Sequence, residues 1–261
     1  MKPRKADFPH ERCSNFVILE IMLIHPPSFA AQTQTVKLLL GIDTCGPTGS
    51  VALGRWDGQS VEILGQIELE GRSYSSTLVA AVSEVLARGG VTLREVGVIV
   101  AVNGPGSFTG VRVGLSAVKG FAEAARIPEI AVSRLEVLAA KAGVGSAALD
   151  AHRHEVFLRV GAPGEPAREL LAGAHELAAI DPVPTRIALC DDAAAELFGS
   201  AWPDAELIRT AAPTAADALQ LCASRAAAGE FVDLALLDGH YLRRSDAEIF
   251  GEPAATEPQR P

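Results

Sequence analysis

The densest cluster of residues able to do chemistry in this chain is NGPGSFTGVRVG, Asn103 to Gly114. Glycines ahead of a helical stretch are the raw material of a phosphate loop. Small residues let a backbone approach closely, and N–H groups at a helix start attract anions. A P-loop needs glycine, four residues, glycine, then lysine and a hydroxyl residue. Counting from Gly104, the second glycine position holds Thr109, and the next lysine is Lys119. The dinucleotide fingerprint G-x-G-x-x-G fits Gly104 and Gly106 and fails at Thr109, with Pro105 stiffening the turn. Both named motifs fail. Ser107 is placed to cap the following helix. Ser107 and Thr109 are nucleophiles by type, yet neither sits in G-x-S-x-G and no histidine lies nearby in sequence as a base. Capping is their expected role, and no catalytic residue is assigned.

Asp43 is the second chemical feature. It ends the apolar run VKLLLGIDT and precedes the turn CGPTG. It either contacts a metal–nucleotide complex or makes an Asx-type hydrogen bond that shapes the turn. With Thr44, Gly104, Gly106, Ser107 and Thr109 it would form a vestigial nucleotide cleft. The six histidines (His10, His25, His152, His154, His175, His240) contain no H-x-x-x-H pair to place two ligands on one helix face. His152 and His154 alternate along an expected strand and could share a face, but no third ligand is evident, so no metal site is expected. Cys13, Cys45, Cys190 and Cys222 are scattered without a C-x-x-C pair, which suits free thiols in a reducing cytoplasm.

An alternation of strands and helices positions these groups. Residues 36–44 read as a buried strand, and 50–56 and 61–70 as the next two, joined by a hairpin turn at Asp57-Gly58. Residues 73–88 place Leu78, Val82, Val85 and Leu86 on one helical stripe ended by Gly89-Gly90. A strand at 96–103, a helix at 107–126, a strand at 129–132 and a helix at 133–142 follow. The pattern restarts in AALDAHRHEVFLRV, strand, turn, strand, where Asp150 ends its strand much as Asp43 does. Beyond it come a strand at 186–190 and helices at 191–198 and 213–228, and YLRR closes the ordered chain at 241–244. Two successive units of three strands, helix, strand, helix suggest a duplicated actin-like ATPase architecture. Its two mixed-sheet lobes with flanking helices would span residues 36–143 and 144–245.

Composition bounds the function. The chain has 261 residues, 48% of them hydrophobic, enough for a sizeable core. Its net charge of −9 leaves no broad basic surface for nucleic acid. The apolar FVILEIMLI near the N-terminus is far shorter than the roughly 20 residues a bilayer span needs. With basic Met1–Lys5 and Ser28-Phe29-Ala30 it gives a weak signal-peptide outline, but the apolar run is short and charged. The orderly pattern begins only at residue 36, so residues 1–35 read as a non-native or disordered extension, and 246–261 as a disordered tail.

LLLGIDT followed by GSVAL, then GPGSFTGVRVGLSAVKGFA, VSRLEVLA, DAHRHEVF and YLR occur in the order found in the TsaB (YeaZ) family. The chain resembles that family from about residue 37 to residue 244. The resemblance implies a non-catalytic dimerization subunit of the bacterial complex that makes threonylcarbamoyladenosine at adenosine 37 of tRNAs reading ANN codons. It implies a TsaD-type transferase and a TsaE-type ATPase as partners, room for a homodimer, and tRNA contact only through the complex. It implies a cytoplasmic protein with no membrane association. No cofactor is implied for the isolated subunit; ATP or ADP belongs, if anywhere, to the assembled complex. The competing reading is an active ATP-dependent phosphotransferase of the same fold, with Asp43 and the glycine loop holding Mg-ATP. A zinc peptidase is disfavoured by the missing ligand spacing. Two positions depart from the family pattern: His152 replaces the arginine of its DAR element, and Tyr74 stands where members often carry a histidine.

On the helix after the loop, Gly110, Gly114, Ala117 and Phe121 form a stripe that is small at one end and aromatic at the other. Two mid-helix glycines cost about 1 kcal/mol each, which close approach of another helix can offset. That helix is either the chain's own preceding one or a partner's. The resemblance, in which the first two helices form the subunit interface, points to a partner and adds Tyr74 and Leu78 to the interface.

Overall fold

The structure, a computed structural model, describes residues 38–243 apart from 72, 164 and 165. Among these residues ten strands form two mixed five-stranded sheets. The first contains β1 (Leu38–Asp43), β2 (Thr48–Trp56), β3 (Val61–Glu70), β4 (Val98–Val102) and β5 (Glu129–Val132), in the order β3-β2-β1-β4-β5. The β1–β2 and β2–β3 pairs are antiparallel, whereas β1–β4 and β4–β5 are parallel. The second contains β6 (Ala147–Asp150), β7 (Val156–Val160), β8 (Arg168–Ala172), β9 (Arg186–Leu189) and β10 (Glu206–Arg209), in the order β10-β9-β6-β7-β8. Read from the antiparallel edge the two orders are identical, third-second-first-fourth-fifth. This is the duplicated actin-like fold.

Six α-helices flank the sheets: α1 (Tyr74–Arg88), α2 (Phe108–Ala125), α3 (Arg134–Lys141), α4 (Ala174–Ala178), α5 (Asp192–Ala201) and α6 (Ala215–Ala228). Uniform apolarity put β1 and β4 in the centre of a sheet covered on both faces, and there they are, almost wholly buried. The expected stripe Leu78, Val82, Val85 and Leu86 is the buried face of α1. Leu53 and Gly54 on β2 show how the first sheet is covered. Leu53 faces Gly89 at the end of α1, while the next residue, Gly54, faces Leu219 of α6. Successive strand residues point to opposite faces, so α1 and α6 lie on opposite sides.

The helices do not follow the 143/144 boundary that separates the two sets of strands. From before it, α3 packs with Leu135, Leu138 and Ala139 into a cluster that includes Leu149 and Phe157 of the second sheet. From well after it, α6 lays Ala215, Ala218, Leu219 and Cys222 into the core of the first sheet and touches all five of its strands. The two sheets thus exchange a helix.

Four elements were not anticipated: a 3-10 turn at Leu93–Glu95, β8, α4 and β10. β8 and β10 are the edges of the second sheet, and their sequences RELLA and ELIR carry charges and expose part of each strand. Short charged edge strands lack the apolar run that marks a central one. A further expectation is overturned at His152 and His154. They lie in the turn between β6 and β7 and not on a strand. With Arg153 they have φ near +60° (60°, 58° and 59° in chain order), a left-handed turn that side-chain alternation does not describe. The expectations for residues 1–35 and 246–261 lie outside the described residues.

Candidate functional site

Asp43 ends β1 with 1% of its side chain exposed. Its Oδ1 accepts the N–H of Cys45 at 2.8 Å, the Asx-type bond that turns the chain into CGPTG. Its Oδ2 accepts Nε–H of Arg134 at 3.3 Å. Arg134 is the first residue of α3, where a positive charge opposes the helix dipole, and its side chain is only 6% exposed. Burial works most strongly against its charge, but the Asp43 carboxylate and the nearby Cys45 and Cys190 together outweigh burial and raise its pKa. The acid on the first strand is therefore neutralised by a cation of the chain itself.

The groups around this pair are held in protonated form. Burial first, then the charge of Asp43, pushes the Cys45 thiol well above its ordinary pKa, and the thiol donates to the Val102 carbonyl at 3.2 Å. The Tyr74 hydroxyl donates to the Gly46 carbonyl at 2.8 Å, and burial followed by Asp43 pushes its pKa up to about 12. Neither offers a nucleophile or a base near neutral pH.

The glycine loop is fitted against the same turn. Ser107 donates its N–H to the Cys45 carbonyl at 2.8 Å, and its hydroxyl accepts from Gly110 N at 3.3 Å, capping α2. A β-carbon on Gly106 would collide with the Cys45 carbonyl. On Gly110 it would collide with the Thr44 carbonyl, and on Gly114 with the Thr44 hydroxyl, which itself donates to the Gly110 carbonyl at 2.7 Å. The close approach inferred from the two glycines is real, but what approaches is the chain's own segment after β1. This corrects the assignment of Gly110 and Gly114 to a partner interface. Tyr74 and Leu78 are likewise buried inside the chain, while Ala117 and Phe121 are partly exposed. The outer surface of α1 and α2 includes exposed Val79 (58%), Ala80, Ser116 and Gly120 and half-buried Val113 and Ala117, beside charged Glu84, Arg112 and Glu123.

A cavity of about 850 Å3 opens between the sheets, lined among others by Cys45, Gly106, Ser107, Arg134, Asp150 and Cys190. Of the six residues expected in a nucleotide cleft, Gly106 and Ser107 line it. Asp43 and Gly104 are buried away from it, the Thr44 hydroxyl is turned to Gly110, and Thr109 lies on the outer surface. A Mg–nucleotide complex needs an acid free to face the metal or its waters. Both Asp43 oxygens are engaged, one by a buried guanidinium, so these residues do not fit that group. Asp150, its counterpart in the second unit, accepts His152 N at 2.8 Å and pairs with His152 Nδ1 at 2.9 Å. Among the described residues there is no group of three or more His, Cys, Asp or Glu that could hold a metal ion. None of their helices is long and apolar enough to cross a membrane.

Two features escaped the sequence reading. One is Arg134, for which a signal existed: an arginine at the first position of a helix calls for an acidic partner. The other joins Phe108 and Arg112 of GPGSFTGVR to Tyr241 of YLR. The two rings stack with centroids 5.0 Å apart and 12° between planes, and Arg112 Cζ lies 5.7 Å from both centroids. No local pattern links residues so distant in the chain.

Comparison with known proteins places this geometry. The family model for tRNA N6-adenosine threonylcarbamoyltransferase, TsaD, matches residues 64–169. The tRNA threonylcarbamoyladenosine biosynthesis protein TsaB of Haemophilus influenzae is 36% identical over 125 residues, 46% of this chain and 51% of that protein. TsaB of Escherichia coli is 34% identical over 125 residues, covering 46% and 52%. The chain thus spans about half the length of the curated relatives it matches. A Pseudomonas aeruginosa crystal structure, described as an uncharacterized protein with similarity to peptidase YEAZ, superposes with a TM-score of 0.65 at 27% identity. That match covers 79% of this chain and all of the other.

Proposed function

The chain belongs to the TsaB (YeaZ) family, and on that premise we propose that it is a non-catalytic scaffold subunit of a bacterial complex that makes threonylcarbamoyladenosine in tRNA. The observation that carries this reading is the buried Asp43–Arg134 pair, which occupies the one acid an actin-like phosphotransferase would use at this place. In this reading the subunit binds and activates a TsaD-type transferase through the outer face of α1 and α2. A TsaE-type ATPase joins the assembled complex, and any ATP or ADP is held there. A homodimer through the same face is the state available to the isolated subunit. The complex works in the cytoplasm, where its tRNA is, and tRNA meets this acidic chain only within the assembly.

The test is reconstitution. The chain is co-purified with the transferase paralogue of its own organism, and tRNA threonylcarbamoylation is assayed with and without it. Modification should depend on its presence, and a transferase equally active alone would sink the proposal. The isolated chain should turn over no Mg-ATP and should melt at the same temperature with and without Mg-ADP. Steady turnover would instead support the phosphotransferase.

A further inference from the structure

Phe108, Arg112 and Tyr241 come from two of the segments that define this chain's family, yet neither the glycine loop nor the Asp43 pair uses them. We propose that they form a preorganised cationic anchor that receives a carboxylate from a helix of the docked partner, at the border of the outer face of α1 and α2. This rests on the reading that the partner docks on that face.

Arg112 follows Phe108 by one helical turn, so the two side chains are neighbours on α2. Tyr241 arrives from the segment after α6 and is held in place by its surroundings. His240 N–H donates to the Asn103 carbonyl at 2.7 Å, and Asn103 Nδ2 donates to the Asp238 carbonyl at 3.2 Å. The stacked rings give the exposed guanidinium of Arg112 a defined place. Three more deeply set arginines are neutralised within the chain: Arg134 by Asp43, Arg159 by Glu169, Arg243 by Glu155. Among the described residues Arg112 has ring contacts and no carboxylate within ion-pair distance. An arginine held by rings before binding loses less rotamer freedom when it meets an acid.

The anion's class follows from the surroundings. A chain of net charge −9 repels a phosphodiester backbone, which disfavours RNA. On the same helix half-buried Val113 and Ala117 with exposed Ser116 and Gly120 offer a small, uncharged surface, and Val79 of α1 is exposed as well. Such a surface suits close packing of a helix. A helix lying there with an Asp or Glu toward the start of α2 would satisfy both features.

The test measures binding of the full chain to the transferase paralogue by calorimetry at low and high salt, with a thermal melt of each variant. Arg112→Ala should weaken binding roughly tenfold at low salt, remove most of the salt dependence and leave the melting temperature unchanged, and Arg112→Lys should fall between. A third variant, Ala117→Arg, tests the docking face itself. If Ala117→Arg abolishes binding while Arg112→Ala binds like wild type with the same salt slope, the anchor is wrong and the docking reading stands. If Ala117→Arg has no effect, the docking reading falls and takes the anchor with it. A clear drop in the melting temperature of Arg112→Ala would make the cluster a structural brace and overturn the proposal. Unchanged assembly with weaker tRNA binding by the assembled complex would assign the cation to RNA and overturn it too.

Discussion

Asp43 illustrates how one buried acid is committed to hydrogen bonds within its own chain. The carboxylate ends the first strand, and its oxygens hold the Cys45 N–H and the Arg134 guanidinium. Removing one partner of a buried pair leaves the other charge uncompensated, at a cost of about 3–5 kcal/mol. Arg134→Ala should therefore lower stability in urea by that order. The double change with Asp43→Asn should recover a large part of it, because no lone charge then remains buried. A double variant as unstable as the sum of the singles would show that the two residues do not act as a pair. Glu129 makes a second residue-scale case. It is 3% exposed at the start of β5, its Oε1 has no hydrogen-bond partner among the described residues, and burial followed by the nearby Asp233 raises its pKa. The folded state thus keeps this proton to higher pH than the unfolded chain, so stability declines as pH rises above the ordinary carboxylate value of 4.5. Glu129→Gln should raise stability by about 1 kcal/mol near pH 7 and by much less at pH 4. A gain independent of pH would mean that the charge is not the cause.

At the scale of elements, α2 carries three glycines with three different surroundings. Gly110 faces the Thr44 backbone carbonyl, which cannot move without disturbing the end of β1. Gly114 faces the Thr44 hydroxyl, a side chain that can rotate at the loss of its bond to Gly110 O. A β-carbon on Gly120 would meet nothing within 4 Å among the described residues. Substitution by alanine should cost about 3 kcal/mol or more at Gly110 and roughly 1–3 kcal/mol at Gly114. At Gly120 it should gain up to about 1 kcal/mol from helix propensity. Thermal melts of the three variants test the ranking, and equal effects would mean that α2 is free to shift away from β1. By the same geometry Gly114→Arg should unfold the chain rather than merely block assembly. Helix spans such as α1 and α2 were legible because their apolar stripes and breakers are local. The direction in which Gly110 and Gly114 look was not, since a small stripe reads alike whatever lies across from it.

At the scale of the molecule, the exchange of α3 and α6 makes the two sheets depend on each other. Arg134 at the start of α3 reaches Asp43 of the first sheet, and Lys141 at its end pairs with Asp217 of α6 at 2.8 Å. Glu169 of β8 accepts the Ser133 hydroxyl at 2.6 Å and Arg159 Nη1 at 2.8 Å, and pairs with His240 Nε2 at 2.9 Å. Burial opposes the charge of Glu169, but these hydrogen bonds outweigh it and bring its pKa below 4.5. Its contribution is present above that value and lost as pH falls through the lowered one. A fragment of residues 36–143 should therefore not fold alone. It would lack α6 over the first sheet and would expose the apolar face of α3. Circular dichroism and gel filtration of that fragment would decide, and a cooperative, monomeric melt would refute the interdependence.

Local order was written into the chain itself. The continuous apolar runs of β1 and β4, the stripe of α1, the Ser107 cap and the repeated three-strand pattern each depend on residues a few positions apart, so periodicity alone located them and implied the duplicated fold. Tertiary structure decided everything that joins distant positions. It set Arg134 against Asp43, Thr44 against Gly110 and Gly114, Tyr241 against Phe108, and α6 beneath the first sheet. It also decided the outcome at His152, where alternation along a strand gives way to a left-handed turn. The physical reason is the same in each case. A residue's type determines which partners would satisfy it, but only the packed chain determines which partner arrives.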